Sequence, residues 1–463
     1  MSTVTISDTP FVGNDRLLVG IVLSVLTFWL FAQSVINVVP AMKSSLDISL
    51  ETLTLAVSLS ALFSGCFVVA SGGLADKFGR MRMTTLGLGL SIVGSAMLVI
   101  AQGPGLFLAG RVLQGLSAAC IMPATLALIK TWYEGRARQR AVSFWVIGSW
   151  GGSGLCSFVG GAIATGLGWR WIFVFSIAVA LLALVLLRGT PESRSASASQ
   201  HKLDVGGLLS LIAALVLVNL FISKGHGWGW SSPLSLTMLV GALAAGAVFI
   251  RNGMRKGEAA LIDFALFRNR AYGAAVLSNF LLNGAIGTMM IASIWLQQGH
   301  HLTPLESGMM TLGYLVTVLA MIRVGEKLLQ RYGARLPMMA GPVLTAIAIA
   351  LISCTFLDKA LYIGVVFASN VLFGLGLGCY ATPSTDTAVA NAPENKIGVA
   401  SGIYKMGSSL GGAMGIAVTA SLFALFLPLG MAHAAQYALW FNTVLCLGAM
   451  AVSALLLPRA SHS

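Results

Sequence analysis

The segment Gly72-Gly73-Leu74-Ala75-Asp76-Lys77-Phe78-Gly79-Arg80-Met81-Arg82 sets one carboxylate among three bases, framed by glycines. Gly72 and Gly79 allow a tight turn between two helices. Asp76 suits a base or a helix N-terminus as its partner, and Lys77, Arg80 and Arg82 hold such a loop on one side of a membrane. This is the chemistry of a latch; a generic charged turn is the plainer alternative. Two further bases sit where charge is costly. Arg111 lies about 9 Å into an apolar run at ~1.5 Å per residue, followed by Gln114 and Gly115, and Lys405 lies in a second apolar run. Embedded ionisable residues default to a functional reading, although Arg111 has a bland alternative in snorkelling to the outer surface.

The acids are placed differently. No Asp or Glu falls at mid-membrane in any apolar run, so the proton-binding candidates are peripheral: Asp76, Glu306 at the outer end of a run, Glu326, and Asp386 just past the end of another. A desolvated charge needs a countercharge. With Arg111 and Lys405 embedded and no acid beside them, the pattern favours amphipathic compounds bearing a carboxylate over permanent dications. Trp29, Trp145, Trp150 and Tyr404 offer faces for stacking a planar compound. Gln33, Asn37, Gln114, Asn279, Asn283 and Asn370 are polar groups suited to line a cavity, or equally to bond helix to helix.

Catalytic and cofactor chemistry finds no foothold. No GxxxxGK[ST] loop, HExxH or nucleophile elbow occurs, so no metal and no cofactor is expected. The six cysteines, Cys66, Cys120, Cys156, Cys354, Cys379 and Cys446, lie in apolar runs without ligand spacing and read as core packing. His300 and His301 read as an ordinary polar outer loop.

The elements that must position these residues follow from composition. The 463 residues are 57% hydrophobic and 9% charged, whereas soluble chains carry roughly 25% charged residues. An all-α polytopic membrane protein is what remains. Runs of spanning length lie at 17–41, 53–73, 84–102, 105–129, 141–167, 170–188, 205–223, 234–251, 271–297, 306–325, 337–356, 360–383, 397–427 and 436–457, which makes fourteen at about 20 residues each. The formal charge of +13 is spread over short loops rather than gathered on a nucleic-acid face. With the N-terminus inside, 21 Lys and Arg fall inside and 4 outside, so both termini are expected to be cytoplasmic. Trp169, Trp171, Trp228 and Trp230 cluster at outer loops as interfacial anchors.

Internal repetition sets the architecture. The run from Arg111 to Cys120 is echoed from Asn370 to Cys379 at an offset of 259, Gly148-Ser149 by Gly407-Ser408 at the same offset, and Lys77-Phe78-Gly79 by Arg331-Tyr332-Gly333 at 254. Residues 17–188 and 271–457 are therefore expected to form two six-helix bundles, with an inserted helix pair at 205–251. Linkers are expected at 189–204 and 252–270, with tails at 1–16 and 458–463; the Ser-rich stretch 191–200 reads as a flexible link. Six-plus-six repeats place a binding site between the halves near the midplane. This is a transporter architecture. Its rivals are an exporter of a metabolite or lipid, a symporter, and an uncoupled facilitator. Glycines at 148, 151, 152, 154, 160 and 161 let the fifth run approach its neighbours closely: Gly148, Gly151, Gly152, Gly154, Gly160 and Gly161 are packing positions.

The Asp76 segment resembles the most diagnostic loop of the major facilitator superfamily, G-x-x-x-D-x-x-G-R-x-R. With the Arg111 segment and fourteen runs, the chain is similar over nearly its full length to the fourteen-span drug:proton antiporter family, and to its quinolone-exporting members above all. The stretches that carry this are TFWLFAQS (27–34), QGLSAACIMPATL (114–126), GSWGGSG (148–154), MIRVGEKLLQ (321–330), ATPSTDTA (381–388) and GIYKM (402–406). The resemblance implies multidrug efflux from the cell by proton antiport, a monomer in the plasma membrane, amphipathic drugs and protons as partners, and no nucleic acid. It further implies that Asp76 and Arg80 latch the cytoplasmic gate and that Arg111 serves proton coupling or charge recognition. Two departures stand out. The family's Gly-Pro pair in the fifth span is replaced by Cys156-Ser157, and Gln33 and its neighbours fill the positions before Asn37 and Pro40 where many members carry an aspartate.

Overall fold

A computed structural model describes residues 11–35, 42, 45–46, 50–195, 204–302 and 304–458. Asn37, one of the expected cavity residues, lies outside the described residues. Every regular element among the described residues is helical. The first bundle comprises α1 (Asp15–Leu26), α2 (Leu50–Phe78), α3 (Arg80–Ile100), α4 (Pro104–Trp132), α5 (Gly135–Val146), α6 (Gly152–Gly166) and α7 (Arg170–Leu187). An intervening hairpin follows, α8 (Val205–Trp228) and α9 (Pro233–Lys256). The second bundle holds α10 (Arg270–Gly284), α11 (Gly287–Ile294), α12 (Pro304–Met309), α13 (Leu312–Tyr332), α14 (Arg335–Ile352), α15 (Lys359–Ala390), α16 (Ile397–Phe426) and α17 (Met431–Leu456).

Among the described residues twelve helices are long and apolar enough to cross a membrane, or thirteen if the pair Gly135–Cys156 and Val159–Gly166, bent by 48°, is one span. The chain is thus a multi-pass membrane protein. The expected span at 205–223 lies within α8, a helix of 24 residues. The faces turned away from the bundles are apolar, as lipid demands: Val240, Leu243, Val316, Leu425 and Leu455 are all exposed. The fifth span bends without the Gly-Pro pair. A π-helical turn at Ile147–Gly151 precedes the bend, and such turns are recognised causes of helix distortion.

The repeat is visible in how the helices cross. In the first bundle α4 packs against α2 and α3; in the second α15 packs against α13 and α14. A Cβ on Gly115 of α4 would strike the carbonyl oxygen of Ser60 on α2 at 2.5 Å, and one on Gly374 of α15 would strike that of Tyr314 on α13 at 2.6 Å. These pairs keep the offsets 259 and 254 found in the sequence. Glycine is required at each crossing because the helix backbones touch.

The α8–α9 hairpin closes on itself through Lys256 Nζ and Asp204 Oδ1, 2.5 Å apart, and α8 rests against both α2 and α16. The segment after α9 is tied to the turn before α16 by Lys396 Nζ donating to Asp263 Oδ2 at 2.6 Å. Burial alone would raise the Asp263 carboxyl, but the Lys396 hydrogen bond, the Ala265 amide and the Lys396 charge outweigh it and hold it below its ordinary value. The contribution to stability is therefore present above the ordinary carboxylate pKa of about 4 and lost as pH falls through the lowered folded value. Asp263→Asn should lower the melting temperature by the same amount at pH 5 and pH 8, corresponding to at most about 1 kcal/mol. Thermal melts below pH 4 should show that difference shrinking.

Candidate functional site

At one end of the molecule the two bundles are joined by charged side chains that grip helix ends. The glycines of the Asp76 segment make this approach possible. A Cβ on Gly72 would collide with the Gly398 carbonyl oxygen, and one on Gly402 would lie 2.8 Å from the Val68 oxygen. With α2 and α16 so close, Asp76 Oδ1 accepts from the Gly398 amide at 3.0 Å and Oδ2 from the Val399 amide at 3.1 Å. Asp76 thereby caps the N-terminus of α16 from the other bundle, where the unsatisfied amides carry partial positive charge. Arg80 Nη2 donates to Asp76 Oδ1 at 3.1 Å and to the Glu394 carbonyl at 3.0 Å, while its Nη1 donates to Thr131 Oγ1 at 2.6 Å.

At the same turn, the other helix end of the α15–α16 hairpin is held in the complementary sense. Lys130 Nζ donates to the Ala390 carbonyl at 3.0 Å and to that of Ala392, so a cation sits on the C-terminus of α15. Beside it Arg138 Nε donates to Asp386 Oδ1 at 3.0 Å. Asp386 is not past its span, as expected from the sequence, but inside α15 and buried. The helix continues because its polar side chains bond back to earlier carbonyls, Thr385 to Ala381 at 2.9 Å and Thr387 to Pro383 at 2.6 Å, and because Arg138 supplies the countercharge. Glu326 is likewise buried, held by Arg323 and Gln330 of its own helix. Glu306 is exposed on α12.

Three residues of this end escaped sequence reasoning. Glu192 accepts from the Met81 and Arg82 amides, both at 2.9 Å, and so caps α3. Gly79, at φ +125°, leaves room for that carboxylate. Ser193 O accepts from the Arg80 amide at 2.9 Å, and the Ser195 amide donates to Asp76 O at 2.8 Å. Residues 191–195 are thus docked, although their composition suggested a flexible link. Lys130 and Arg138 were legible only as orientation signals, because their partners lie about 250 positions away. Of the remaining motif bases, Arg82 is exposed and Lys77 lies over the Phe78 ring.

At the centre the two embedded bases have opposite surroundings. Arg111 does not snorkel; it is fully buried, with Nε on the Ala56 carbonyl at 3.0 Å, Nη1 on the Ala32 carbonyl and Gln114 Oε1 at 2.7 Å each, and Nη2 on Ser60 Oγ at 2.6 Å. Gln114 passes the network to Ser95 at 3.3 Å. This guanidinium joins the backbones of α2 and the turn after α1 to α4. Lys405 instead lies across the bundle interface, its Nζ 5.4 Å from the Trp29 ring centre and 5.2 Å from that of Trp145.

The other expected cavity residues divide. Trp29, Gln33, Trp150 and Asn283 are half-buried, and Trp150 packs against the cores of both bundles. Trp145 is buried, with Nε1 donating to Thr125 Oγ1 at 2.9 Å. Tyr404 is turned into the second bundle, its hydroxyl bonded to Ser384 at 3.0 Å and Thr385 at 3.2 Å. Asn279 donates to Ser408 at 2.6 Å, which is helix-to-helix bonding, and Asn283 donates to Asn279 Oδ1 at 2.9 Å within α10, while Asn370 is buried with Oδ1 unpartnered among the described residues. The glycines of the fifth span also divide. Gly148, Gly152 and Gly160 face α1 and the turns after it, Gly151 and Gly154 meet Leu319 and Leu315 of the other bundle, and Gly161 faces open space.

The family model described as the Major Facilitator Superfamily matches residues 17–267 and 271–463. The chain is 51% identical over 458 residues, 99% of each chain, to the quinolone resistance protein NorB of Staphylococcus aureus strain MRSA252, and 50% identical over the same span to that of strain COL. Among solved structures it is similar to the proton:xylose symporter XylE bound to 6-bromo-6-deoxy-D-glucose, at TM-score 0.68 and 15% identity over 96% of each chain. It is also similar to the human organic anion transporter MFSD10, at TM-score 0.63 and 16% identity over 95% of this chain and 98% of that one. These two likenesses concern the fold. Two helical bundles and a full-length family match together make the chain a transporter of the major facilitator superfamily.

Proposed function

We propose that the chain exports amphipathic drugs of the quinolone type across the plasma membrane in exchange for protons, by alternating access between its two bundles. The observation that carries the reading is the charged closure between bundles at the Asp76 end, together with 51% identity to NorB over the full length. In this reading that end faces the cytoplasm, both termini lie inside, and the protein works as a monomer. Bundles that pivot about a central site must break and remake contacts at each end. Here the contacts at the Asp76 end include hydrogen bonds between charged groups and helix ends, which can be exchanged for bonds to water.

The proton step follows from which carboxylates bridge the bundles. Glu326 is bonded within α13, so protonating it leaves the interface as it was. Asp76 is held by two amides as well as Arg80. Asp386 pairs with Arg138 of the other bundle, and a proton on it removes an ion pair across the gate. Asp386 is therefore the coupling carboxylate, and Arg111, fixed by four acceptors, is a positioning residue that keeps α2 and α4 in register beneath the latch.

In acid-loaded inverted vesicles, norfloxacin should trigger saturable proton release with the wild type and none with Asp386→Asn. Uphill drug uptake without proton movement would point to another coupling ion, and neither signal would favour a facilitator. A second outcome concerns the cap itself. Asp76→Ala strips the Gly398 and Val399 amides of their acceptor, a loss of about 0.5–2 kcal/mol for an N-cap. Hydrogen exchange at these two amides should then run roughly 2- to 30-fold faster, whereas unchanged protection would remove Asp76 from the gate.

A further inference from the structure

The centre of the interface holds a cation without a counter-ion. Lys405 is 7% exposed, and among the described residues no acceptor oxygen is bonded to its ammonium. The buried acids of the spans are engaged elsewhere: Asp76 on the α16 amides, Asp386 on Arg138, Glu326 on Arg323. What Lys405 touches is aromatic, the rings of Trp29 and Trp145, both from the opposite bundle. These rings are fixed by α4, since Trp29 Nε1 donates to Met122 Sδ at 3.4 Å and Trp145 Nε1 to Thr125 Oγ1 at 2.9 Å. The attraction of an ammonium to such rings is smaller than the cost of burying a charge without a counter-ion. The site is complete only with an anion.

We propose that Lys405 is the recognition group for the carboxylate of a planar aromatic ligand, whose ring system lies beside Trp29 and Trp145. This deepens the export reading and rests on it for the ligand's transport, not for its binding. Pairing draws the ammonium toward the carboxylate and away from two rings of the other bundle, so loading the site loosens the central contact between the bundles. A neutral or cationic analogue of the same shape makes no such pair and meets the ammonium as an unfavourable neighbour.

The test uses the purified full-length protein in nanodiscs with 2-naphthoate and 2-naphthamide, which share a ring system and differ in charge. Calorimetry should find the acid bound at least about tenfold more tightly than the amide, the scale of a charge-assisted bond. Lys405→Gln should bring the two dissociation constants together by weakening the acid alone, and Lys405→Arg should keep the preference. Equal affinities in the wild type, or a preference that survives in Lys405→Gln, would overturn the proposal. Should Lys405→Gln fail to fold, loss of the preference in Lys405→Arg would overturn it equally. Acid preference that depends on Lys405 in a protein that moves no norfloxacin would remove the export reading and leave the anion site standing. Norfloxacin export with no acid preference would do the reverse.

Discussion

The structure turns on a charge placed at each of the two helix ends that meet at the turn of one helical hairpin. α15 ends in carbonyls and α16 begins with amides, and the turn between them presents both to the other bundle. Lys130 meets the first set and Asp76 the second. Each is the sign that the helix dipole favours, so neither helix end is left unsatisfied where the bundles meet. The close crossing of α2 and α16, which only Gly72, Gly398 and Gly402 permit, is what brings Asp76 within bonding distance. Arg80, Glu192 and the docked residues 191–195 then assemble around that one carboxylate.

This arrangement separates permanent contacts from exchangeable ones. Glycine brings backbones together within each bundle, as at Gly115 and Gly374, and once between the bundles, where Gly72, Gly398 and Gly402 let α2 cross α16. Between the bundles the Asp76 end is bonded by side chains that reach across, and the centre is bridged by an ammonium lying on two indoles. Each of these can be traded for water or ligand at small cost. Arg111 belongs to the first kind. Its bonds all stay within the first bundle, which explains how a charge is tolerated there without a carboxylate.

Much of this was legible in the sequence, for identifiable reasons. The Asp76 segment announces itself because glycine spacing and charge are local. The repeat does too, because Gly115 and Gly374 must be glycine where backbones touch. What was not legible depends on distant partners. The amides that Asp76 caps lie 322 and 323 positions away, and Lys130 and Arg138 look like any base flanking a span. The polar run from Pro383 to Asp386 reads as a helix end, yet α15 continues to Ala390 because its side chains bond to its own backbone and Arg138 neutralises Asp386. Tyr404, expected to face a ligand, is turned away by hydroxyl partners on α15 that no spacing rule reveals.

The central claim is that charged caps on the α15–α16 hairpin hold the bundles together at one end, and a distance across that end tests it most directly. Ala137 and Asn395 are exposed on opposite sides of the gap and accept spin labels without touching the latch. Pulsed electron resonance on the otherwise unaltered protein should give one short distance, and Asp76→Ala combined with Asp386→Asn should move much of the distribution to longer values. A distribution left unchanged by that double substitution would mean that the bundles are held by something other than these charges.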